Sequence, residues 1–147
     1  MRNRVEVMHG VNLDQLGRRD PLHYGTLNFA QLERQIELVA RELDLVPRFF
    51  HTNHEGEFVE HLHRLEGLAD AVVLNPGSWT HYAWSIRDAL ELTALPAVEI
   101  HLSDVHGREE FRRVSVFDGL PSVVGTVSGK GPAGYRDALE LLKDELA

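Results

Sequence analysis

Residues 71–77 read Ala71-Val72-Val73-Leu74-Asn75-Pro76-Gly77. An apolar run without alternation, ended by an amide and a turn-forming Pro-Gly pair, is the pattern of a strand covered on both faces. A sheet between two helical layers supplies two such covers, so this stretch sets the fold class. Toward the C-terminus, a helix is expected from about Thr80 to Leu92 and a strand at Ala97–Leu102. Phe111–Leu120 reads mostly as loop and Val123–Val127 as a last strand. Pro132 opens a final helix ending near Leu146, where proline removes only an N–H that lacks a helical partner anyway. Toward the N-terminus, Glu55–Leu65 forms a short helix with Phe58, Leu62 and Leu65 inward. Leu45–His51 is a strand that Pro47 places toward an edge. Asn28 starts a longer helix, with Gln31 completing a capping box and Phe29, Leu32, Ile36, Val39, Ala40 and Leu43 as its buried stripe. Arg4–Met8 is the first strand, followed by the polar stretch His9–Thr26.

Five strands alternating with helices imply right-handed crossovers and a parallel sheet. The expected architecture is an α/β, flavodoxin-like three-layer sandwich of strand order 2-1-3-4-5, as one domain over residues 1–147. In such sheets ligands sit beyond the carboxyl ends of the strands. There the sequence places His9, Asn12, Asn53, Asn75, Gly77, His101, Ser103 and Ser128, a polar rim that reads as a small-molecule pocket.

Within Glu99-Ile100-His101, residues two apart share a strand face, so Glu99 can hydrogen-bond His101, fix its tautomer and favour the imidazolium. His101 is thereby a candidate general acid. In the loop Gly17-Arg18-Arg19-Asp20-Pro21-Leu22-His23-Tyr24-Gly25, Arg19 or Arg18 could stabilise a Tyr24 phenolate as a base. Arg108, Arg112 and Arg113 form a basic cluster that either grips a small carboxylate or polyol or is neutralised by Glu109 and Glu110. If that segment is helical, Arg108 and Arg112 share one face. Asn75-Pro76-Gly77-Ser78-Trp79-Thr80-His81 offers a close backbone approach and hydroxyl donors, with Thr80 as a helix cap.

Composition narrows the classes. The chain has 147 residues and a formal net charge of -8, which argues against nucleic acid and anionic membranes as partners. The absence of cysteine removes disulfides, thiolate nucleophiles and cysteine-ligated zinc. His61 and His63 lie two apart in a helix, point to different faces, and read as solvated rather than as a metal pair. No His-Glu-x-x-His motif and no Gly-x-Ser-x-Gly elbow occurs. The only lysines, Lys130 and Lys143, come late and argue against an imine route. The N-terminal apolar run is too short for a signal peptide and no segment nears the ~20 apolar residues of a membrane span, so the expected location is cytoplasmic.

Six fragments, in order, resemble the type II 3-dehydroquinate dehydratase (type II dehydroquinase) family. They are Leu16-Gly17-Arg18-Arg19-Asp20-Pro21 leading to Tyr24-Gly25, Asn53-His54-Glu55-Gly56-Glu57, Leu74-Asn75-Pro76-Gly77 with Thr80-His81, Glu99-Ile100-His101-Leu102-Ser103, His106-Gly107-Arg108-Glu109-Glu110-Phe111-Arg112, and Gly129-Lys130-Gly131-Pro132 ending at Gly134-Tyr135. The resemblance implies a cofactor-free, metal-free dehydration of 3-dehydroquinate to 3-dehydroshikimate through an enolate, in aromatic biosynthesis or quinate breakdown. Tyr24, held as phenolate by Arg19, would be the proton acceptor, and His101, oriented by Glu99, the proton donor. Asn12 would help hold a water against the enolate. Asn75, His81 and Arg112 would hold substrate hydroxyls, and backbone N–H groups at Leu102 and Ser103 would receive the carboxylate. Asp88 would reach a neighbouring subunit's site, and the assembly would be a homododecamer built as a tetramer of trimers.

The chain departs from the family pattern at several positions. It has His9-Gly10-Val11-Asn12-Leu13 where the family usually has Asn-Gly-Pro-Asn-Leu, and Asp104 replaces an asparagine, placing negative charge near the carboxylate pocket. Asp20 shortens a glutamate, and Ser78 stands where a smaller residue is common. His9, Val11 and Asp104 motivate an alternative, a catalytically impaired paralogue that binds a shikimate-pathway acid without turnover. An unrelated flavodoxin-like binding or signalling module lacks support, since the first loop has neither a phosphate cradle nor paired acidic residues.

Overall fold

A computed structural model describes residues 1–24 and 26–147, so Gly25 of the Tyr24-Gly25 motif lies outside the described residues. Five parallel strands, β1 (Arg4–His9), β2 (Val46–His51), β3 (Ala71–Asn75), β4 (Ala97–His101) and β5 (Val123–Ser128), pair in the order β2-β1-β3-β4-β5. The helices are α1 (Pro21–Tyr24), α2 (Phe29–Glu42), α3 (Glu55–His63), α4 (Trp84–Thr93) and α5 (Gly134–Leu146). The expected α/β flavodoxin-like topology and strand order are therefore present. Pro47 sits on β2, the sheet edge, where a missing ladder N–H is tolerated.

Strand alternation divides the core. Val5, Val7, Val73, Val98 and Ile100 face α2 and α5, meeting Leu32, Ile36, Ala40, Leu139 and Leu142. Met8, Val72 and Leu74 face α3 and α4, meeting Phe58, Leu62, Ile86 and Leu90. All of β3 is buried, as its unbroken apolar run requires. On α2 the capping box forms as expected: Asn28 Oδ1 accepts the Gln31 N–H at 2.8 Å, and Gln31 Oε1 accepts the Asn28 N–H at 3.0 Å. Leu32, Ile36 and Ala40 are fully buried, while Phe29, Val39 and Leu43 pack at the margin. Burial of a side chain such as Leu32 or Ile36 is worth about 1.5–3 kcal/mol, enough to hold the helix on the sheet.

Several local expectations change. The helix expected from Thr80 begins at Trp84, after a 3₁₀ segment, Gly77–His81. Thr80 does not cap it, because its hydroxyl donates instead to Glu99 and its carbonyl accepts Val116 N–H at 2.7 Å. Pro132 lies in a 3₁₀ turn, Gly131–Ala133, that leads into α5. Phe111–Leu120 contains most of a 3₁₀ segment, Glu110–Arg113, and is otherwise turn and irregular chain. His61 is not solvated: its Nε2 lies 2.6 Å from buried Glu6 Oε2, and its ring stacks 3.7 Å from Phe50. Among the described residues, no helix is long and apolar enough to cross a membrane.

Candidate active site

The cavity lies beyond the carboxyl ends of β1, β3 and β4 and has a volume of about 120 Å³. That is well below the ~300–1,000 Å³ typical of sites for drug-sized ligands, so it suits a small molecule. Its floor exists because two loops pack backbone on backbone. A Cβ at Gly10 would stand 2.5 Å from Pro76 O, and one at Gly77, which has φ +65°, would stand 2.7 Å from Val11 O. Any larger side chain at either position would force the loops after β1 and β3 apart. Asn12 is left-handed, with φ 70°, and its N–H donates to Asn53 Oδ1 at 2.8 Å. Asn75 is buried at the end of β3, where its Oδ1 accepts Gly77 N–H at 3.0 Å.

On one side of the cavity stands Tyr24. Asp20 organises the short helix that carries it: its Oδ1 accepts Leu22 N–H at 2.9 Å and its carbonyl accepts Tyr24 N–H at 3.1 Å. Arg19 Nη2 and Arg108 Nη1 each donate to Tyr24 Oη at 2.6 Å. The Arg19 guanidinium also lies over the ring, with Cζ 3.7 Å from its centroid. Arg18 instead donates to Gln15 Oε1, so of the two arginines it is Arg19 that contacts Tyr24. Arg108 is a second cation on the same oxygen, from 84 residues away. Both guanidiniums can only donate, so it is the lone pairs of the phenol oxygen that they engage.

On the other side stands His101. Its Nε2 lies 2.6 Å from Glu99 Oε2, with both side chains almost wholly buried. Glu99 also accepts Thr80 Oγ1–H at 2.5 Å and Ser115 Oγ–H at 2.8 Å. Burial by itself would raise the Glu99 carboxyl. The hydrogen bond and charge of His101, with the two hydroxyls, outweigh that and hold it below the ordinary value. An ionised Glu99 only accepts, so His101 Nε2 carries hydrogen and Nδ1 is left for other partners. His81 stacks beside His101 at 6.4 Å, and its Nδ1 lies 2.7 Å from Val114 O. Chiefly burial, helped by His101 and Arg112, holds His81 below the usual histidine value despite that carbonyl.

Tyr24, Arg19, Asn12, Asn75, His81, His101, Leu102, Ser103 and Arg112 line this one cavity, joined by Arg108. The Ser103 and Leu102 carbonyls accept Gly129 and Gly131 N–H, each at 3.0 Å, fixing that corner. Arg112 borders the cavity and also pairs with Glu109 at 2.6 Å, as the neutralised reading of the basic cluster has it. Arg108 and Arg112 do not share a helix face; Arg108 is extended between two 3₁₀ segments. Asp88 is exposed on α4 and does not border the cavity.

Three residues of the expected rim lie elsewhere. Asn53 braces the Asn12 loop, and Ser128 ends β5 outside the cavity lining. His9 is fully buried on the α2 side, between Phe29 and Phe49, with Nε2 3.1 Å from Glu33 Oε2 but not aligned for a hydrogen bond. The period of two could have revealed this, since His9 shares its face with Val5 and Val7. Asp104 accepts His106 N–H at 3.1 Å and borders a neighbouring cavity rather than this one. Val11 and Ser78 do border the site. Ser115 has no site role in the sequence, Arg108 only a share in the basic cluster and Thr80 only that of a hydroxyl donor or cap, because the bonds to Tyr24 and Glu99 are long-range.

A sequence profile of the dehydroquinase class II family matches residues 3–143. The chain is 46% identical over 143 residues to a Thermotoga petrophila protein named 3-dehydroquinate dehydratase, covering 97% of this chain and 96% of that one. A crystal structure of type II dehydroquinase from Propionibacterium acnes superposes with a TM-score of 0.89 at 36% identity, covering 98% of each chain. One from Butyrivibrio crossotus gives 0.90 at 34% identity, over 96% of this chain and 97% of the other. With nearly the full chain matched at this identity, the protein belongs to the class II dehydroquinase family.

Proposed function

We propose that the chain is a hydro-lyase that converts 3-dehydroquinate to 3-dehydroshikimate. The observation that carries this reading is one small cavity bordered by a phenol oxygen under two guanidiniums and by an imidazole backed by a buried carboxylate. Tyr24 takes a proton from the carbon beside the substrate ketone. The negative charge it held is replaced by charge on the enolate oxygen, against a water held near Asn12. The enolate then expels the hydroxyl, which takes a proton from His101 and leaves as water. Solvent returns a proton to His101 and removes one from Tyr24, so the cycle balances without an oxidant or reductant. Positioned acid and base groups of this kind are worth about 10²–10⁴-fold each.

Asn75, His81 and Arg112 hold the substrate hydroxyls, and the Leu102 and Ser103 backbone takes the carboxylate. Asp88, remote from its own cavity, serves a neighbouring subunit's site within a homododecamer, a tetramer of trimers. A single domain over residues 1–147 carries the activity in the cytoplasm, in the shikimate pathway or in quinate breakdown. The impaired-paralogue reading loses two of its three motives, since His9 and Asp104 put no charge into the cavity lining. Incubation of purified protein with 3-dehydroquinate is the test. Growth of enone absorbance in the ultraviolet, unaffected by chelator or borohydride, is the expected result. Binding without any absorbance change would contradict it and favour the impaired paralogue.

A further inference from the structure

Glu99 sits at the centre of a set of donors drawn from three segments. His101 comes from its own strand, Thr80 from the 3₁₀ segment after β3, and Ser115 from the chain following Glu110–Arg113. The last two segments are sewn together: Val116 N–H donates to Thr80 O at 2.7 Å, and His81 Nδ1 meets Val114 O at 2.7 Å. Residues 114–116 thus touch both the Glu99–His101 pair and the His81 that borders the cavity. Ser115 also has its rotor fixed. Phe117 N–H donates to Ser115 Oγ at 3.1 Å, which leaves the serine's own hydrogen for Glu99 Oε1 at 2.8 Å.

We propose that Ser115, assisted by Thr80, is a positioning residue for the general acid, holding Glu99 as an acceptor so that the His101 proton goes to the departing hydroxyl. This rests on the dehydratase reading of the site. Hydrogen bonds to a carboxylate stabilise its ionised form and make it a poorer proton acceptor. Ser115, clamped by Phe117 N–H, engages Oε1 while Thr80 Oγ1 shares Oε2 with His101, so three donors share the charge of the carboxylate to which the imidazole donates. Proton return from the imidazolium to Glu99 is therefore opposed, and the substrate is its outlet. The lowered Glu99 carboxyl agrees with this count of donors.

The test compares Ser115→Ala, Ser115→Thr and Thr80→Val with wild type in the dehydration assay across pH. Each protein is also followed by ¹³C NMR titration of the Glu99 carboxyl, which does not depend on turnover. Loss of one donor moves the carboxyl upward, so Ser115→Ala should titrate Glu99 at higher pH and shift the acid limb of kcat the same way. Its kcat should fall about ten- to a hundredfold, the worth of one hydrogen bond to a charged group, with KM nearly unchanged. Thr80→Val should move both readouts in the same direction, and Ser115→Thr should restore them. A Glu99 titration and acid limb that stay at their wild-type positions in both Ser115→Ala and Thr80→Val would overturn the role. So would a loss in Ser115→Ala confined to KM that Ser115→Thr fails to repair. Absence of dehydration by the wild type would overturn the dehydratase reading instead, and the carboxyl titration would still report on the clamp.

Discussion

The two walls of the cavity are built by different means. The His101 wall is made by a strand: Glu99 and His101 lie two residues apart on β4, in register with Thr126 and Ser128 of β5, and are almost wholly buried. The Tyr24 wall is made by a one-turn helix in a loop, and its phenol is placed by guanidiniums five and 84 residues away. Strand alternation sets the first pair side by side, and Thr80 and Ser115 brace its carboxylate. The second depends on two separate segments arriving together, so its chemistry exists only when the loop is docked. In the proposed reaction the acid is thus backed by a carboxylate on its own strand, and the base stands on a one-turn helix.

Among the groups that support the two walls without reacting themselves, the cations of the Tyr24 wall should produce the largest effect when deleted. Arg19→Ala and Arg108→Ala should each lower kcat about ten- to a hundredfold, because each removes one charged hydrogen bond to the reacting oxygen. The double variant should lose about a thousandfold or more in steady-state assays. If Arg108→Ala had no effect while Arg19→Ala did, the second cation would be an ornament of the resting state and the wall would rest on one arginine.

A smaller effect is expected at His9, on the far side of the sheet from α3. Burial chiefly, and His51 nearby, hold its folded-state value below the ordinary one despite Glu33. The unfolded chain then takes up a proton first as pH falls through about 6.5, so this contribution to stability is complete above that pH and lost below it. His9→Asn should therefore lose less thermal stability between pH 7 and 5 than wild type, as read by Tm, while kcat at pH 7 changes little. An equal slope for both proteins would mean that His9 does not titrate between the folded and unfolded states.

The same contrast explains what could be read from the chain. The alternation of strands and helices, the Asn28–Gln31 capping box and the Glu99–His101 contact follow from short-range patterns and are legible, whereas the strand order 2-1-3-4-5 rests on the choice of fold class, because spacing does not fix it. The Thr80 helix start was misplaced because Glu99 and Val116, distant in sequence, claim its hydroxyl and carbonyl. His61 reads as solvated in the sequence because nothing near it signals Glu6 or Phe50, which reach it across the α3 face of the sheet. Arg108 stood in a visible basic cluster, yet its bond to Tyr24 requires a chain reversal that no local motif encodes. Residues whose partners lie within a strand or a helical turn were found; those held by loops meeting in space were not.

The division of labour between the walls can be measured by hydrogen exchange. With 3-dehydroquinate in D₂O, followed by NMR, His101→Ala should still exchange the hydrogen on the carbon beside the ketone while releasing almost no water. Tyr24→Phe should do neither. That pair of results is what a phenol base opposite an imidazole acid requires. Exchange that survives in Tyr24→Phe but disappears in His101→Ala would assign the base to the strand wall and contradict the account.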